Sequence, residues 1–373
     1  MRICIDASPA LHRRGGIGRY TQELTEALKQ MGEDLIGFSN LPSSGPIDPP
    51  FDRIPSLTLN RGNKSWRFFV LMAHLLHRSQ DHVFPDVTVF HATDHVLPCF
   101  SKIKGVVTLH DFTYRLFPKT HTAPNRLFLT VAMRLFLRAA SGLIADSMCT
   151  RQDAVRLYGV DPSRIRAIHL GVDSRFRPAS KGEKAELRAK YQLPEHFVLT
   201  LGTLEPRKNL NKVLDAYNLL KQSGVRRKLV IAGKKGWLSE SFLPRIRGLG
   251  LESDLIMTGF VPDEDLPILY SSADLFVFAS LYEGFGLPVL EAMACQTPVA
   301  CSNTSSLPEV AGDAALFFNP GDPQDMAGKI AEALEHSGLK EQLRERGLLR
   351  VKEFTWERTA RETLKVYRQA IES

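Results

Sequence analysis

No stretch of the 373 residues is long and apolar enough to span a bilayer. The opening Met1-Arg-Ile-Cys-Ile-Asp-Ala-Ser8 has too short an apolar run for a secretory signal and reads as a first buried strand. Cysteine is scarce: Cys4, Cys99, Cys149, Cys295 and Cys301 are odd in number, scattered and without a C-x-x-C pair. That argues against a disulfide framework or a zinc site and for a reducing, cytoplasmic compartment, with the five thiols as small buried hydrophobes. No internal repeat with a period of roughly 20–50 residues is present, so a solenoid is excluded. The glycines at Gly15-Gly-Ile-Gly18 do not form G-x-G-x-x-G, and no acidic residue follows at the dinucleotide spacing, which argues against a nicotinamide site. No nucleic-acid-binding motif accompanies the basic residues.

What is present is a globular composition, 43% hydrophobic and 24% charged, over a length that suits two or three domains. The net charge of +7 is unevenly spread. Residues 1–172 hold 21 Lys/Arg against 14 Asp/Glu, whereas residues 173–373 hold 27 of each. A basic half attracts phosphates, an anionic membrane surface or nucleic acid, or is simply solvated. Short apolar runs alternate with helical stretches. Strands are predicted at Arg2–Ile5, Val87–Phe90, Val106–Leu109, Gly142–Ala145, Phe197–Leu201, Lys228–Ala232, Leu255–Thr258, Leu275–Phe278 and Pro298–Ala300. Alternating βα units with continuous apolar strands predict parallel sheets covered on both faces. Nine strands are many for one sheet, so two doubly wound domains fit better. The turn-rich segment Gly171–Gly182 marks the boundary, Leu41–Pro50 is a surface loop, and Trp356–Ile371 is a final helix.

The most informative string is Tyr282-Glu-Gly-Phe-Gly-Leu-Pro-Val-Leu-Glu-Ala-Met-Ala294, directly after the strand Leu275–Phe278. Pro288 suits a first helical turn. A strand, a glycine-flanked loop and a helix start make an anion site, with free backbone N–H groups near Gly286, Leu287 and Val289. Glu291 lies about one turn into that helix, where its carboxylate can accept bonds from a sugar diol, and Glu283 precedes the loop. Upstream, Leu201-Gly-Thr-Leu-Glu-Pro-Arg-Lys-Asn209 follows the strand Phe197–Leu201 at its carboxyl end, where open α/β sheets bind ligands. Arg207 and Lys208 there offer a fork of donors and a point charge to a diphosphate.

These strings resemble the retaining GT-B glycosyltransferases of family 4 (glycosyltransferase group 1). The match rests on Glu283-x7-Glu291 in its Glu-Gly-Phe-Gly-Leu-Pro setting and on Glu-Pro-Arg-Lys-Asn upstream. Gly15-Gly-Ile-Gly-Arg-Tyr20, Leu109-His-Asp111, Ala145-Asp-Ser147, His169-Leu-Gly-Val-Asp173, Ala232-Gly-Lys-Lys-Gly-Trp237, Thr258-Gly-Phe-Val261 and Ser305-Ser-Leu-Pro-Glu-Val310 follow in family order. The set covers nearly the whole chain and looks most like bacterial O-antigen and exopolysaccharide mannosyltransferases. One departure is Ala294-Cys-Gln-Thr-Pro298, where the family usually has glycine in place of Gln296.

The resemblance implies an α/β GT-B fold: an acceptor-side Rossmann-like domain over 1–172, a nucleotide-sugar domain over 173–355, an active site in the cleft between them, and a helix at 356–373 crossing back. It implies a hexosyltransferase moving mannose from GDP-mannose to a glycan or polyprenyl-linked glycan. A UDP-sugar-dependent glucosyl or N-acetylglucosaminyl transferase is the alternative, with a non-catalytic transferase-like subunit behind it. By position, Arg207 and Lys208 would bind the diphosphate, Glu283 the transferred sugar and Glu291 the ribose. Gly284, Phe285, Gly286 and Leu287 would line the sugar and phosphate, and the base would lie near Gly233 and Val261. Gly16, in a loop before a helix at Tyr20–Met31, would approach the diphosphate. His110, at the end of the strand Val106–Leu109, would lie close to the transferred sugar, and Arg19 and Asp111 would face the acceptor. The catalytic set is then His110, Arg207, Lys208 and Glu283, with the leaving phosphate accepting the acceptor's proton on the same face.

No cofactor or metal is implied. Asp263-Glu-Asp265 has the form D-x-D, but it sits just before a helix, where acidic residues complement the dipole. Two stretches, Lys64–Arg78 and Arg126–Arg138, mix basic residues with Trp, Phe and Leu as interfacial helices do, although the second fits a core helix equally well. The localisation expected is cytoplasmic, with peripheral contact on the inner face of the plasma membrane. A glycoside hydrolase also uses two carboxylates, but it leaves Arg207-Lys208 and the glycine loops without a role.

Overall fold

The structure is a computed structural model. It describes the chain except for residues 13, 14, 44, 46, 235, 237 and 238 and the side chains of 239–241. Lys235 and Trp237 of the glycine-lysine motif, and Ser44 and Pro46 of the proline-rich loop, therefore lie outside the described residues. The chain divides into two compact units, Met1–Gly171 with Thr355–Ser373, and Val172–Phe354.

The first unit is built on seven parallel strands: β1 (Arg2–Asp6), β2 (Asp34–Ser39), β3 (Ser56–Thr58), β4 (Val89–Ala92), β5 (Lys104–Leu109), β6 (Gly142–Ala145) and β7 (Ile165–Ala167). Their order is β3-β2-β1-β4-β5-β6-β7. The second has six, β8 (Phe197–Leu201), β9 (Lys228–Ala232), β10 (Leu255–Gly259), β11 (Leu275–Phe278), β12 (Val299–Ser302) and β13 (Leu316–Phe318), in the order β10-β9-β8-β11-β12-β13. Each sheet reverses direction once, between β1 and β4 and between β8 and β11. That reversal opens a crevice at the carboxyl edge where loops can hold a ligand. Both sheets are doubly wound and parallel, the Rossmann-like pattern expected of the fold class.

All nine predicted strands form. The fourth-placed strand starts two residues later than expected, at Val89. Four strands were not predicted. β3, β7 and β13 have three residues each and lie at sheet edges, too short for an apolar run. β2 lies inside the sheet, but Gly37 interrupts its pattern.

The helix Trp356–Glu372 belongs to the first unit. Trp356, Thr359, Ala360, Thr363, Leu364 and Tyr367 form one buried stripe at helical spacing. Thr355 caps it by accepting from the amide of Arg358 at 3.2 Å. Tyr367 is fully buried and its hydroxyl meets His91 Nδ1 at 2.6 Å; His91 Nε2 in turn meets Thr108 Oγ1 at 2.7 Å, and Thr108 Oγ1 meets Tyr20 OH at 2.8 Å. The helix is thus fixed to β4, β5 and the helix Gly15–Gln30 by polar bonds as well as apolar area. Burial holds His91 neutral, its pKa lowered to about 3.

Candidate active site

In the second unit, the carboxyl ends of β8 and β11 bring together the residues singled out in sequence. After β8 the chain enters a short 3-10 turn at Pro206–Lys208 and then the helix Leu210–Gln222. The loop after β11 runs into the helix Leu287–Ala294. Glu283 is the hub. Its Oε2 lies 2.8 Å from Arg207 Nη1 and its Oε1 2.6 Å from Lys208 Nζ. Arg207 also donates through Nη1 to the Tyr282 carbonyl at 2.7 Å and through Nη2 to Glu205 Oε1 at 2.6 Å. Lys208 Nζ stands 4.9 Å from the centre of the Phe278 ring, a cation–π contact from β11.

The electrostatics follow from this packing. Burial alone would raise the Glu283 pKa; Arg207 and Lys208 overcome it and hold the carboxyl at about 2. For Lys208 burial is the strongest influence and lowers the pKa, Arg207 adds to that, and Glu283 opposes it. Two cations and two carboxylates, Arg207, Lys208, Glu205 and Glu283, make the cluster charge-balanced as it stands.

A hydroxyl-rich loop after β12 fixes the backbone that carries Glu283. Ser305 Oγ accepts from the Glu283 amide at 2.9 Å, and Ser306 Oγ lies 2.9 Å from the Glu283 carbonyl and 2.6 Å from that of Phe285. Thr304 Oγ1 donates to the Leu281 carbonyl at 3.1 Å. This positioning role of the serines was not read from the sequence, although Ser305-Ser-Leu-Pro-Glu-Val310 was in view. Gly286 caps the helix at φ +106°, where a Cβ would also stand 2.7 Å from Leu307 Cδ2. Gly284, Phe285 and Gly286 are buried, and Leu287 is the first helical residue.

Glu291 is only 3% exposed and accepts from Tyr270 OH at 2.9 Å. Gly233 and Val261 follow β9 and β10 at the same edge of the sheet. A Cβ on Gly233 would fall 2.0 Å from the Gly202 carbonyl oxygen, so glycine there permits the two strand ends to touch. Phe260 beside Val261 is exposed, with Lys234 Nζ 4.4 Å from its ring centre. Asp265 of the D-x-D string is occupied: Lys190 Nζ and Tyr191 OH both donate to its Oδ2 at 2.6 Å.

His110, Asp111, Gly16 and Arg19 belong to the first unit. His110 immediately follows β5. Its Nε2 lies 2.7 Å from the Thr93 carbonyl and its Nδ1 2.6 Å from Asp146 Oδ2. A carbonyl oxygen and a carboxylate both accept, so each nitrogen donates and the ring is an imidazolium. Burial opposes this charge, but Asp146 and the Thr93 carbonyl raise the pKa to about 9. Thr93 Oγ1 donates to the Asp6 carbonyl. Asp6, Thr93, His110 and Asp146 stand at the ends of β1, β4, β5 and β6, four neighbouring strands, and so tie the rim together crosswise. With both nitrogens engaged, His110 is a fixed cation and not a base. The tie through Asp146 was missed in sequence, although Ala145-Asp-Ser147 contains it.

One expectation needs revising. The helix begins at Gly15, not Tyr20, so Gly16 lies in its first turn and not in a preceding loop. Gly16 has open space where a Cβ would sit, whereas a Cβ on Gly18 would be 2.9 Å from the Pro9 carbonyl oxygen. Asp111 accepts from the amide and hydroxyl of Thr113 at 2.9 and 2.7 Å, just before the short helix Thr113–Leu116. Arg19 is half-buried in the second turn of the helix Gly15–Gln30.

A pair of doubly wound parallel sheets, one with a glycine loop and helix start at its switch point, defines a GT-B protein. Residues 183–350 match the glycosyl transferases group 1 family and residues 14–176 glycosyltransferase family 4. The chain is 32% identical to O-antigen chain mannosyltransferase B of Escherichia coli, over 99% of this chain and the whole of that protein. Among solved structures it resembles sucrose-phosphate synthase from Thermosynechococcus elongatus (TM-score 0.78, 20% identity, covering 100% and 99% of the two chains). It also resembles HepE of Anabaena, solved with UDP-glucose (TM-score 0.73, 20% identity, 98% and 99%). The protein belongs to the family 4, group 1 glycosyltransferases and is a hexosyltransferase.

Proposed function

We propose that the enzyme moves mannose from GDP-mannose to a glycan or polyprenyl-linked glycan, with retention at the anomeric carbon. The observation that carries this reading is the cluster at the β8/β11 switch point. There Arg207 and Lys208 flank Glu283 beside a glycine-capped helix start. The cations and the amides after Gly284 hold the diphosphate, Glu283 contacts sugar hydroxyls and Glu291 the ribose. In the transfer, the bond from the sugar's anomeric carbon to the phosphate oxygen breaks and one to the acceptor oxygen forms on the same face. The acceptor's proton passes to the departing phosphate, whose charge Arg207 and Lys208 stabilise. The reaction needs no metal, so EDTA leaves the rate unchanged. Full-length similarity to an O-antigen mannosyltransferase supports mannose as the sugar. The likeness to HepE, which holds UDP-glucose, keeps a UDP-sugar as the second reading.

A thermal-shift panel of GDP, UDP and ADP with their sugar forms separates the two. GDP-mannose gives the largest rise in melting temperature; a rise with UDP-sugars alone overturns the mannosyl reading.

A lipid-linked acceptor would be met at the cytoplasmic leaflet. No described helix is long and apolar enough to cross a membrane. The helices Asn63–Leu75 and Ala123–Ala139, joined by an Arg67 to Asn125 bond of 2.9 Å, expose Phe68 (65%), Leu75, Leu127 (67%) and Val131. Residues 53–80 and 112–145 contain no Asp or Glu. Exposed apolar residues on two segments that carry basic but no acidic residues suit an anionic bilayer. Co-sedimentation with phosphatidylglycerol vesicles at low salt tests this, and equal recovery with neutral vesicles would count against it.

A further inference from the structure

Arg207 serves two carboxylates. Glu283 belongs to the proposed sugar subsite, but Glu205 has no role in any contact proposed for the donor. It lies 2.6 Å from Arg207 Nη2, and both side chains are largely withdrawn from solvent, at 19% and 17% exposure. Glu205 is the residue before the 3-10 turn that presents Arg207 and Lys208, and its carbonyl accepts from the Lys208 amide at 3.1 Å. A negative charge is thus built into the floor of a site proposed to receive a diphosphate. An arginine needed only for anion binding would be expected to face that anion unopposed; here a carboxylate offsets its charge in a poorly screened position.

We infer that Glu205 is a positioning and counter-charge residue that orients Arg207 and weakens the hold on the nucleoside diphosphate, so that the product leaves after transfer. The inference rests on the reading of Arg207 and Lys208 as the diphosphate site. The Arg207 guanidinium is fixed by Glu205 on one amino group and by the Tyr282 carbonyl and Glu283 on the other. Orientation comes from the Glu205 oxygen as an acceptor, and the weakening from its charge. Glu205→Gln separates the two effects, because the amide oxygen still accepts from Nη2 while the charge is gone. Product affinity then rises while Arg207 stays in place. Glu205→Ala removes both acceptor and charge and frees the guanidinium.

The test measures GDP and UDP binding by calorimetry, and their product-inhibition constants, in the full-length enzyme and its Glu205→Gln, Glu205→Ala and Arg207→Ala variants. The expected result is about tenfold tighter binding of the preferred diphosphate to Glu205→Gln, steepest at low salt, with a lower kcat. Arg207→Ala weakens binding, and Glu205→Ala gives a smaller gain than Glu205→Gln. Unchanged or weaker diphosphate binding in a folded Glu205→Gln protein overturns the inference, while Arg207→Ala still losing affinity would leave the donor-site reading intact. If Arg207→Ala and Lys208→Ala bind GDP and UDP as the parent does, the donor-site reading itself fails, and the inference falls with it.

Discussion

The first unit carries 25 Lys and Arg against 17 Asp and Glu; the second carries 23 against 24. Their sheets share a strand order, with one reversal each, but the rims at those reversals differ. On the first rim His110 is paired with Asp146 and bound to the Thr93 carbonyl, with the buried Asp6 and Asp94 nearby on the ends and loops of neighbouring strands. On the second, two carboxylates crowd around one guanidinium and one ammonium group. The same scaffold therefore supports two electrostatic designs. A paired imidazolium with both nitrogens bonded is rigid and inert toward proton transfer. A balanced cluster of long side chains can exchange one anion for another, as the proposed donor site requires. Topology supplies the crevice and the loops decide its chemistry.

The largest effect should come from disturbing the second rim. Lys208→Ala or Glu283→Ala lowers kcat by about 100- to 1000-fold, the range seen when one preorganised charge-stabilising group is removed. Steady-state transfer assays with a folded variant check this. Undiminished transfer by either variant would leave the cluster a structural feature and place the chemistry elsewhere.

A middle-sized effect is expected on the first rim, in stability before activity. Asp146→Asn leaves the His110 ring without its counter-charge and costs about 3 kcal/mol at neutral pH. The pH dependence gives the sharper test. His110 titrates near 6.5 when unperturbed and at about 9 in the fold. Its raised pKa therefore stabilises the protein fully below about pH 6.5, and that contribution is lost as pH rises through about 9. Denaturation midpoints of the parent should fall between pH 7 and 10 more steeply than those of Asp146→Asn. Parallel slopes would mean that His110 is not the titrating group. Glu283 has the opposite sign. Its pKa, lowered to about 2, gives stability present above about 4.5 and lost as pH falls through about 2.

The contrast between the rims was only half legible in the sequence. Strand ends, glycine loops and the paired glutamates could be placed because each is a local signal: an apolar run, a turn residue, a helix start. The nine predicted strands are those with such a run. Partners distant in sequence were not legible. Asp146 lies 36 positions from His110, and Glu283 lies 75 from Lys208. Both strings were in view, but no periodicity says that neighbouring strand ends will set one side chain against another. The hydroxyls of Ser305 and Ser306 were hidden for the same reason, since their targets are backbone groups more than twenty residues earlier.

The smallest expected effect concerns the departure at Gln296, beyond the residues assigned to the donor. Gln296 follows the helix Leu287–Ala294 with φ +59°, in the left-handed region where the family's glycine would sit without strain. Its side chain is exposed, and its carbonyl accepts from Arg344 Nε at 3.2 Å. A residue with a Cβ in this conformation costs roughly 1–2 kcal/mol. Glycine there relieves that cost but has more freedom to lose on folding, roughly 0.5–1 kcal/mol. The Gln296→Gly variant should therefore be more stable by about 0.5 kcal/mol. The measurement is a urea midpoint at unchanged slope, with transfer activity unaltered. A lower midpoint would show that the glutamine side chain contributes more than the strain it brings. Altered activity would mean that the turn reaches the donor rim through the helix carrying Glu291.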